Sequence, residues 1–105
     1  MSMEKEVSYK TTNTYSTLNT ITNKNQNTWF ACHGLGQLSH YFLNNFSNIS
    51  KKSNYIIAPQ APSKFYQSTK TKRVGACWLT KENTQQEQEN ILRYFDEILN
   101  QEKPI

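Results

Sequence analysis

The residues whose types and spacing are best suited to catalysis lie in the segment Thr28-Trp-Phe-Ala-Cys-His-Gly-Leu-Gly-Gln37. A short apolar run ends in His33-Gly-Leu-Gly-Gln37, and an amphipathic segment follows at once, which predicts a strand, a tight glycine turn and a helix. Backbone N–H groups exposed at such a turn can stabilise the negative charge that develops on a carbonyl oxygen during acyl transfer. The alternative is an ordinary strand-to-helix turn with no chemical role.

The chain offers no convincing nucleophile to act beside this turn. No serine lies in a Gly-x-Ser-x-Gly pattern, the sharp turn that exposes a nucleophilic serine. Cys32 and Cys77 are predicted to be small apolar core residues. Neighbouring strand positions point to opposite faces, so Cys32 and His33 cannot form a thiol–imidazole pair. The spacing of the cysteines and histidines matches no metal site, and we expect neither a metal nor a cofactor.

Composition restricts the kinds of protein that the chain can be. Its 105 residues allow one domain at most. A hydrophobic fraction of 35% and a mean hydropathy of −0.82 are low for an independent globular unit. The net charge is +4, but the lysines are scattered and Lys70-Thr-Lys-Arg73 is the only tight basic cluster, so nucleic-acid binding is the weakest hypothesis. No segment has the pattern of a signal peptide or a membrane span, and we expect a cytoplasmic protein with reduced thiols.

Hydrophobic periodicity predicts a short series of elements in a domain that spans residues 7–100. In chain order they are a tail at 1–6, one or two antiparallel strands within Val7–Ile21, a strand at 28–32, a helix at 37–49, a strand at Tyr55–Ala58, a loop at 61–75, an apolar patch at Ala76–Leu79, a helix at 82–100 and a tail at 101–105. A capping box, Thr84-Gln-Gln-Glu87, is predicted to open the last helix. One apolar stripe on that helix comprises Ile91, Leu92, Phe95, Ile98 and Leu99.

The predicted elements make an α/β arrangement that is incomplete on its own. The strand at 28–32 is a continuous apolar run, which predicts burial on both faces as in a parallel sheet. It forms a strand–helix–strand unit with the helix at 37–49 and the strand at Tyr55–Ala58. Two parallel strands do not make a stable sheet, and both helices carry apolar stripes that need cover. We therefore expect a fragment, or a truncated member, of a larger α/β domain.

Three motifs of the chain carry a resemblance to a known family. They are Trp29-Phe-Ala-Cys-His-Gly-Leu-Gly-Gln37, Tyr55-Ile-Ile-Ala-Pro-Gln-Ala-Pro62 and Arg73-Val-Gly-Ala-Cys-Trp-Leu-Thr-Lys-Glu82. With these motifs the chain resembles the N-terminal part of α/β-hydrolase fold serine esterases, of the phospholipase, carboxylesterase and thioesterase type. The resemblance covers residues 7–100 and stops before the nucleophile elbow. It implies the N-terminal half of an α/β-hydrolase sheet.

The resemblance implies roles for the residues of the glycine turn. In the family, the loop after the first parallel strand supplies one N–H of the oxyanion hole. By position this is the amide of Leu35, with Gly36 shaping the loop. The family's catalytic histidine lies near the C-terminus, so His33 is interpreted with Gly34 as loop support. For Gln37 the alternatives are a cap on the helix, a hydrogen bond across the loop and a contact to substrate.

A second group of candidate residues lies in the segment 61–78. In an intact domain this segment would run over the carboxyl ends of the strands, where open α/β sheets bind ligands. Three aromatic side chains there would then line an acyl pocket: Phe65, Tyr66 and Trp78. The alternative is that they cover the edge of the sheet.

The function that the resemblance implies is hydrolysis of carboxylic ester or thioester bonds through a serine acyl-enzyme. The serine, acidic residue and histidine of the triad have no counterpart in these residues, so we expect the chain alone to be inactive. In a full-length form its partner would be a small acyl ester substrate. The non-catalytic alternative is an interaction module whose open sheet edge pairs with a separately encoded C-terminal half or with a second copy.

Overall fold

The computed structural model describes residues 1–22, 25 and 27–102, and these residues form an α/β arrangement of five strands and two helices. The strands are β1 (Tyr15–Leu18), β2 (Asn27–Phe30), β3 (Asn54–Pro59), β4 (Ser63–Tyr66) and β5 (Val74–Cys77). The helices are α1 (Ser39–Phe42), which continues into a 3₁₀ turn at Leu43–Phe46, and α2 (Thr84–Gln101). The α/β class predicted from the sequence is confirmed. The predicted tail at 101–105 lies outside the described residues from position 103 onward.

The central sheet has three strands, in the order β1-β3-β2. β1 pairs with β3 in antiparallel orientation, with Tyr15 opposite Pro59. β2 pairs with β3 in parallel orientation, with Asn27 opposite Asn54. The predicted strand–helix–strand unit is therefore present, with α1 and its 3₁₀ extension as the connection between the two parallel strands.

Both faces of β3 are buried, and a helical layer covers each of them. All six residues of β3 are buried. Because side chains alternate along a strand, Ile56 and Ala58 pack with Leu43 on one face, and Tyr55 and Ile57 pack with Ile98 of α2 on the other. The strand predicted at Tyr55–Ala58 thus corresponds to β3, at the centre of two small cores.

The burial predicted for the strand at 28–32 is wrong. Only Phe30 of β2 is partly buried, and Trp29 is 49% exposed. The physical reason is that β2 lies at the edge of the sheet, where among the described residues only β3 pairs with it. Cys32 lies beyond the end of β2 and is exposed, so its predicted place in the core is also wrong.

The segment predicted as a loop at 61–75 contains one strand of a hairpin. β4 and β5 pair in antiparallel orientation, with Ser63 opposite Cys77 and Tyr66 opposite Val74. The connection closes through a hydrogen bond of 2.7 Å from the Gln67 N–H to the Arg73 carbonyl. All four residues of β4 are exposed, so this strand has no alternation of apolar and polar side chains from which it could be predicted.

The N-terminal segment and the first helix contain less regular secondary structure than predicted. Of the one or two antiparallel strands predicted within Val7–Ile21, β1 is present. Residues 1–14 contain no helix or strand, and Val7 and Tyr9 are exposed. The predicted helix at 37–49 begins only at Ser39, since Gln37 pairs with Ala76 of β5. Asparagines and serines that follow favour local side-chain bonds over continued α-helix.

The last helix lies where the sequence predicts it, but its start and its buried face differ. The capping box is wrong: Thr84 donates its hydroxyl hydrogen to the Thr80 carbonyl, and the Glu87 N–H bonds to the carbonyl of Asn83. The predicted stripe is also wrong in part, because Leu92 is 63% exposed and Leu99 is exposed as well. Tyr94 replaces them on the buried side of the helix.

The C-terminal end of α2 is tied to the central sheet by a cluster of hydroxyl and carboxylate groups. The phenols of Tyr15 and Tyr55 both donate to the Glu102 carboxylate, and the Gln101 amide donates to the Tyr15 oxygen at 2.8 Å. Burial, followed by the hydrogen bond to Glu102, raises the pKa of Tyr55 to about 12. The cluster joins β1, β3 and α2 at one point.

This cluster predicts that the fold loses stability in alkali. In the unfolded chain the Tyr55 phenol ionises near its ordinary pKa of 10.0, whereas the folded protein holds the proton up to about 12. The contribution to the free energy of unfolding is therefore complete below pH 10 and is lost as the pH rises through about 12. Urea denaturation across this range should show the loss, and Tyr55→Phe should reduce its slope. Tyr66→Phe, at an exposed tyrosine of β4, is the matched control, and equal slopes in both variants would contradict the prediction.

Candidate functional site

The glycine turn lies at the sheet edge where the two parallel strands end. β2 is prolonged by one hydrogen bond, 2.9 Å from the Ala31 N–H to the Ile57 carbonyl, and the chain then enters His33–Gln37. β3 ends at Pro59 and continues into Gln60 and Ala61. Because parallel strands end at the same side of a sheet, these two segments lie next to each other. We call His33–Gln37 the glycine loop.

His33 is the buried support of the glycine loop. Its side chain is 2% exposed. Its Nε2 accepts the Ala61 N–H at 3.1 Å, so the proton is on Nδ1, which donates to the Gly34 carbonyl at 2.8 Å. Both ring nitrogens therefore make hydrogen bonds within the protein, and this arrangement leaves neither of them free to act as a base.

Gln60 joins the end of β3 to the start of α1. Its Oε1 accepts the Ser39 N–H at 2.9 Å, and its Nε2 donates to the Ala61 carbonyl at 3.2 Å. The N-cap position, Leu38, has no side chain that could accept a hydrogen bond, so Gln60 satisfies a helix donor that its own segment leaves open. The backbone N–H of Gln60 is in turn bound to the Tyr94 hydroxyl at 3.0 Å.

The backbone N–H groups of the glycine loop differ in whether they have a hydrogen-bond acceptor within the protein. The Gly34 N–H donates to Gln37 Oε1 at 2.6 Å, the Gly36 N–H to the Ala76 carbonyl at 2.9 Å and the Gln37 N–H to the Gly34 carbonyl at 3.2 Å. The Leu35 N–H has no acceptor among the described residues. Leu35 is also 75% exposed. The Gly34, Gly36 and Gln37 N–H groups are thus engaged, whereas the Leu35 N–H between them is not.

The hairpin of β4 and β5 holds the glycine loop from its outer side. The Ala76 N–H donates to the Gln37 carbonyl at 3.2 Å, and Gln67 Nε2 donates to the Gly36 carbonyl at 2.8 Å. Gly36 has a φ of 80°, a backbone conformation that glycine adopts without strain. A Cβ atom at Gly75 would overlap the backbone of Gly36, so the approach of β5 requires glycine there.

Trp78 connects the glycine loop to α2. Its indole N–H donates to the His33 carbonyl at 2.8 Å, and its ring lies 5.1 Å from the imidazole ring, centroid to centroid. The Trp78 ring also packs edge-to-face against Phe95, with 5.6 Å between the ring centroids. Phe95 packs in the same way against Phe30, at 4.8 Å. Trp78 is therefore a support of the loop in this structure.

An open cleft of ≈ 790 Å³ lies between the glycine loop, α1 and the hairpin. Its lining includes Gly36, Gln37, Tyr41, Gln67 and Arg73. The three aromatic residues predicted for an acyl pocket do not line this cleft. Phe65 and Tyr66 are exposed on β4, and Trp78 packs against the loop as described.

The two cysteines show no arrangement for nucleophilic chemistry. Cys32 is exposed as a residue, yet desolvation raises the pKa of its thiol above the ordinary value, which favours the protonated form. The Cys77 thiol donates to the Leu79 carbonyl at 3.0 Å. The described residues contain no group of three or more His, Cys, Asp and Glu side chains that could hold a metal ion.

Three residues that position the glycine loop were not singled out from the sequence: Gln60, Gln67 and Gly75. Gly75 offered a signal, because an isolated glycine in a strand marks a close backbone approach. The two glutamines offered none, since their partners lie about 20 and 30 positions away in the chain.

Comparison with models of known protein families gives no match to this chain, and comparison with curated proteins gives none either. No helix in the part of the chain that the structure describes is long and apolar enough to cross a membrane. The functional conclusion therefore depends on the geometry of the glycine loop.

The close approach of Gly75 to Gly36 predicts a position-specific cost of a methyl group. Gly75→Ala should lower the free energy of unfolding by about 1–3 kcal/mol, the usual range for overpacking. Gly34→Ala is the control, because its Cβ would contact only the end of the Gln37 side chain, at 3.1 Å, and no backbone atom. Thermal unfolding monitored by circular dichroism measures both variants. Equal melting temperatures would show that β5 and the loop are not in contact as described.

Proposed function

We propose that the glycine loop is the oxyanion-binding loop of a serine esterase-like hydrolase, in which residues 7–100 form the N-terminal part of an α/β-hydrolase domain. The observation that carries this proposal is that the N–H of Leu35, an exposed residue, has no acceptor among the described residues. It is supported by the position of the loop at the carboxyl end of β2, where open α/β sheets bind ligands.

An oxyanion donor must be both free and fixed. It must be free because it has to bind the oxygen on which charge develops, and fixed because a donor that reorients during the reaction gives up much of its benefit. The bonds from Gly34, Gly36 and Gln37 hold the backbone on both sides of the Leu35 amide. One such donor contributes about 3–4 kcal/mol to the stabilisation of the transition state.

The reaction is hydrolysis of a carboxylic ester or thioester through a serine acyl-enzyme, with no cofactor. The serine, the acidic residue and the catalytic histidine would come from residues outside the 105 of this chain. His33 does not take the role of the catalytic base, because its Nδ1 and Nε2 already bond to Gly34 and Ala61. On its own the chain is expected to show no turnover above buffer.

Removal of the Leu35 N–H tests the proposal in the native protein that contains this chain. Leu35→Pro deletes the donor, and the preceding Gly34 tolerates the restriction that proline places on its neighbour because it has no Cβ. We expect kcat for a p-nitrophenyl ester to fall about 100-fold, the cost of losing one oxyanion donor, with little change in KM. Leu35→Ala keeps the amide and should retain most of the activity.

A serine-directed fluorophosphonate supplies a second readout. It should label the native protein, isolated through an antibody against the exposed N-terminal segment, on a serine outside these residues. Equal activity of Leu35→Pro and Leu35→Ala, or a native protein that neither hydrolyses esters nor reacts with the probe, would refute the esterase.

A second candidate function is pairing through the outer edge of β2. Among the described residues this edge has no partner strand, and β2 has no charged residue or proline, the features that commonly block edge pairing. Half-exposed Trp29 stands on the same strand. An interaction module would use this edge to bind another strand.

Edge pairing makes self-association of the chain measurable. If it occurs, sedimentation velocity should show a fraction of dimer that increases with protein concentration. Thr28→Lys should shift the equilibrium to monomer, because it places a charge on the edge strand. Thr17→Lys, on the opposite edge strand β1, is the matched control. A chain that stays monomeric at all concentrations would exclude pairing with a second copy.

A further inference from the structure

The cleft beside the glycine loop contains a cation that no group among the described residues neutralises. Arg73 lines the cleft, and its guanidinium makes no hydrogen bond or ion pair to the residues that the structure describes. The other arginine, Arg93 on α2, donates to Asn90 Oδ1 at 3.4 Å. A guanidinium at the wall of a cleft, with all its donors free, is suited to a bidentate anionic ligand.

The distribution of charge along the chain explains why Arg73 is unpaired. No aspartate or glutamate occurs between positions 7 and 81, and nine lysines and arginines do. The acidic residues lie at positions 4 and 6 and from Glu82 onward, the latter mostly on α2. α2 packs on the face of the sheet opposite to α1. The cleft, which α1 helps to line, is thus on the side of the sheet away from the acidic helix.

Neutral donors in the lining add to the arginine. The Tyr41 hydroxyl and the Asn45 side-chain amide make no hydrogen bond to described residues, and both residues line the cleft. His40 stacks on Tyr41, with 4.1 Å between the ring centroids, and also lines it. A carboxylate or phosphate group would find there the charge of Arg73, a solvent-exposed residue, and nearby neutral donors.

We propose that this cleft binds a carboxylate- or phosphate-bearing part of the ligand, with Arg73 as the residue that holds the charge. The inference deepens the proposed function and rests on it for one point, that the ligand is the substrate. Gly36, which follows Leu35 in the chain, lines the cleft together with Arg73, so an anionic group held by Arg73 would lie beside the glycine loop. The substrate class is then an acyl ester or thioester that carries a second, acidic group.

The experiment is an NMR titration of the ¹⁵N-labelled 105-residue chain with inorganic phosphate and, separately, with succinate at constant ionic strength. The chain has only two arginines, so the Nε–H resonances of Arg73 and Arg93 are separately observable. We expect a saturable shift of the Arg73 resonance together with the backbone amides of Gly36 and Tyr41, and no shift of Arg93. The arm that saturates identifies the group, phosphate or carboxylate, that the cleft accepts.

Two variants distinguish specific anion binding at Arg73 from non-specific electrostatic association. Arg73→Gln should raise the Kd of the accepted anion at least about tenfold, the loss of a hydrogen bond to a charged group, and Arg93→Gln should leave it unchanged. Shifts that do not saturate, or that move Arg93 in parallel with Arg73, would overturn the proposal. So would an unchanged Kd in Arg73→Gln.

Failure of this inference is distinguishable from failure of the esterase. The titration needs no turnover, and the Leu35 variants need no anion binding. Saturable binding with an inactive native protein would leave an anion site without the hydrolase. Loss of activity in Leu35→Pro without anion binding would leave the hydrolase and remove the acidic substrate class.

Discussion

The burial of β3 on both faces is the constraint on which the rest of the structure depends. Six consecutive buried residues need a layer on each side and a partner strand on each edge. The helices α1 and α2 supply the layers, and β1 and β2 supply the partners. Because β2 runs parallel to β3, the ends of both strands meet at one side of the sheet. That meeting brings His33 within hydrogen-bond distance of Ala61 and fixes the start of the glycine loop.

The free donor at Leu35 is a consequence of how completely the other polar groups around it are bonded. In the described residues no buried side-chain nitrogen or oxygen lacks a hydrogen-bond partner. The His33 side chain accepts the Ala61 N–H at the end of β3. Trp78 and Gln67 donate to the carbonyls of His33 and Gly36, respectively. An exposed N–H can remain unpaired at little cost because water reaches it. The loop is therefore rigid through its supports while one amide stays available for a ligand.

The elements that could be predicted from the sequence are those whose signal is local. The apolar run of β3 and the periodicity of α2 identified both elements, with small errors at their ends. The hairpin of β4 and β5 could not be predicted, because β4 is exposed on all four residues and is held by pairing to β5, which in turn pairs with the loop at Gln37. Likewise the glutamine that caps α1, Gln60, acts from a distant part of the chain. The glycine turn was visible in the sequence, but the contacts that make it rigid are long-range.

The open edge of β2 and the glycine loop are not independent features. β2 leads directly into the loop, so any strand that pairs with β2 in parallel orientation ends at the side of the sheet where the loop lies. Residues that follow such a strand would stand beside the Leu35 amide and the cleft of Arg73. Pairing at the edge would therefore do more than cover unpaired backbone groups, because it would also bring new side chains to the free Leu35 amide. In the proposed hydrolase, a parallel strand added at this edge would therefore extend the sheet and the oxyanion-binding site together.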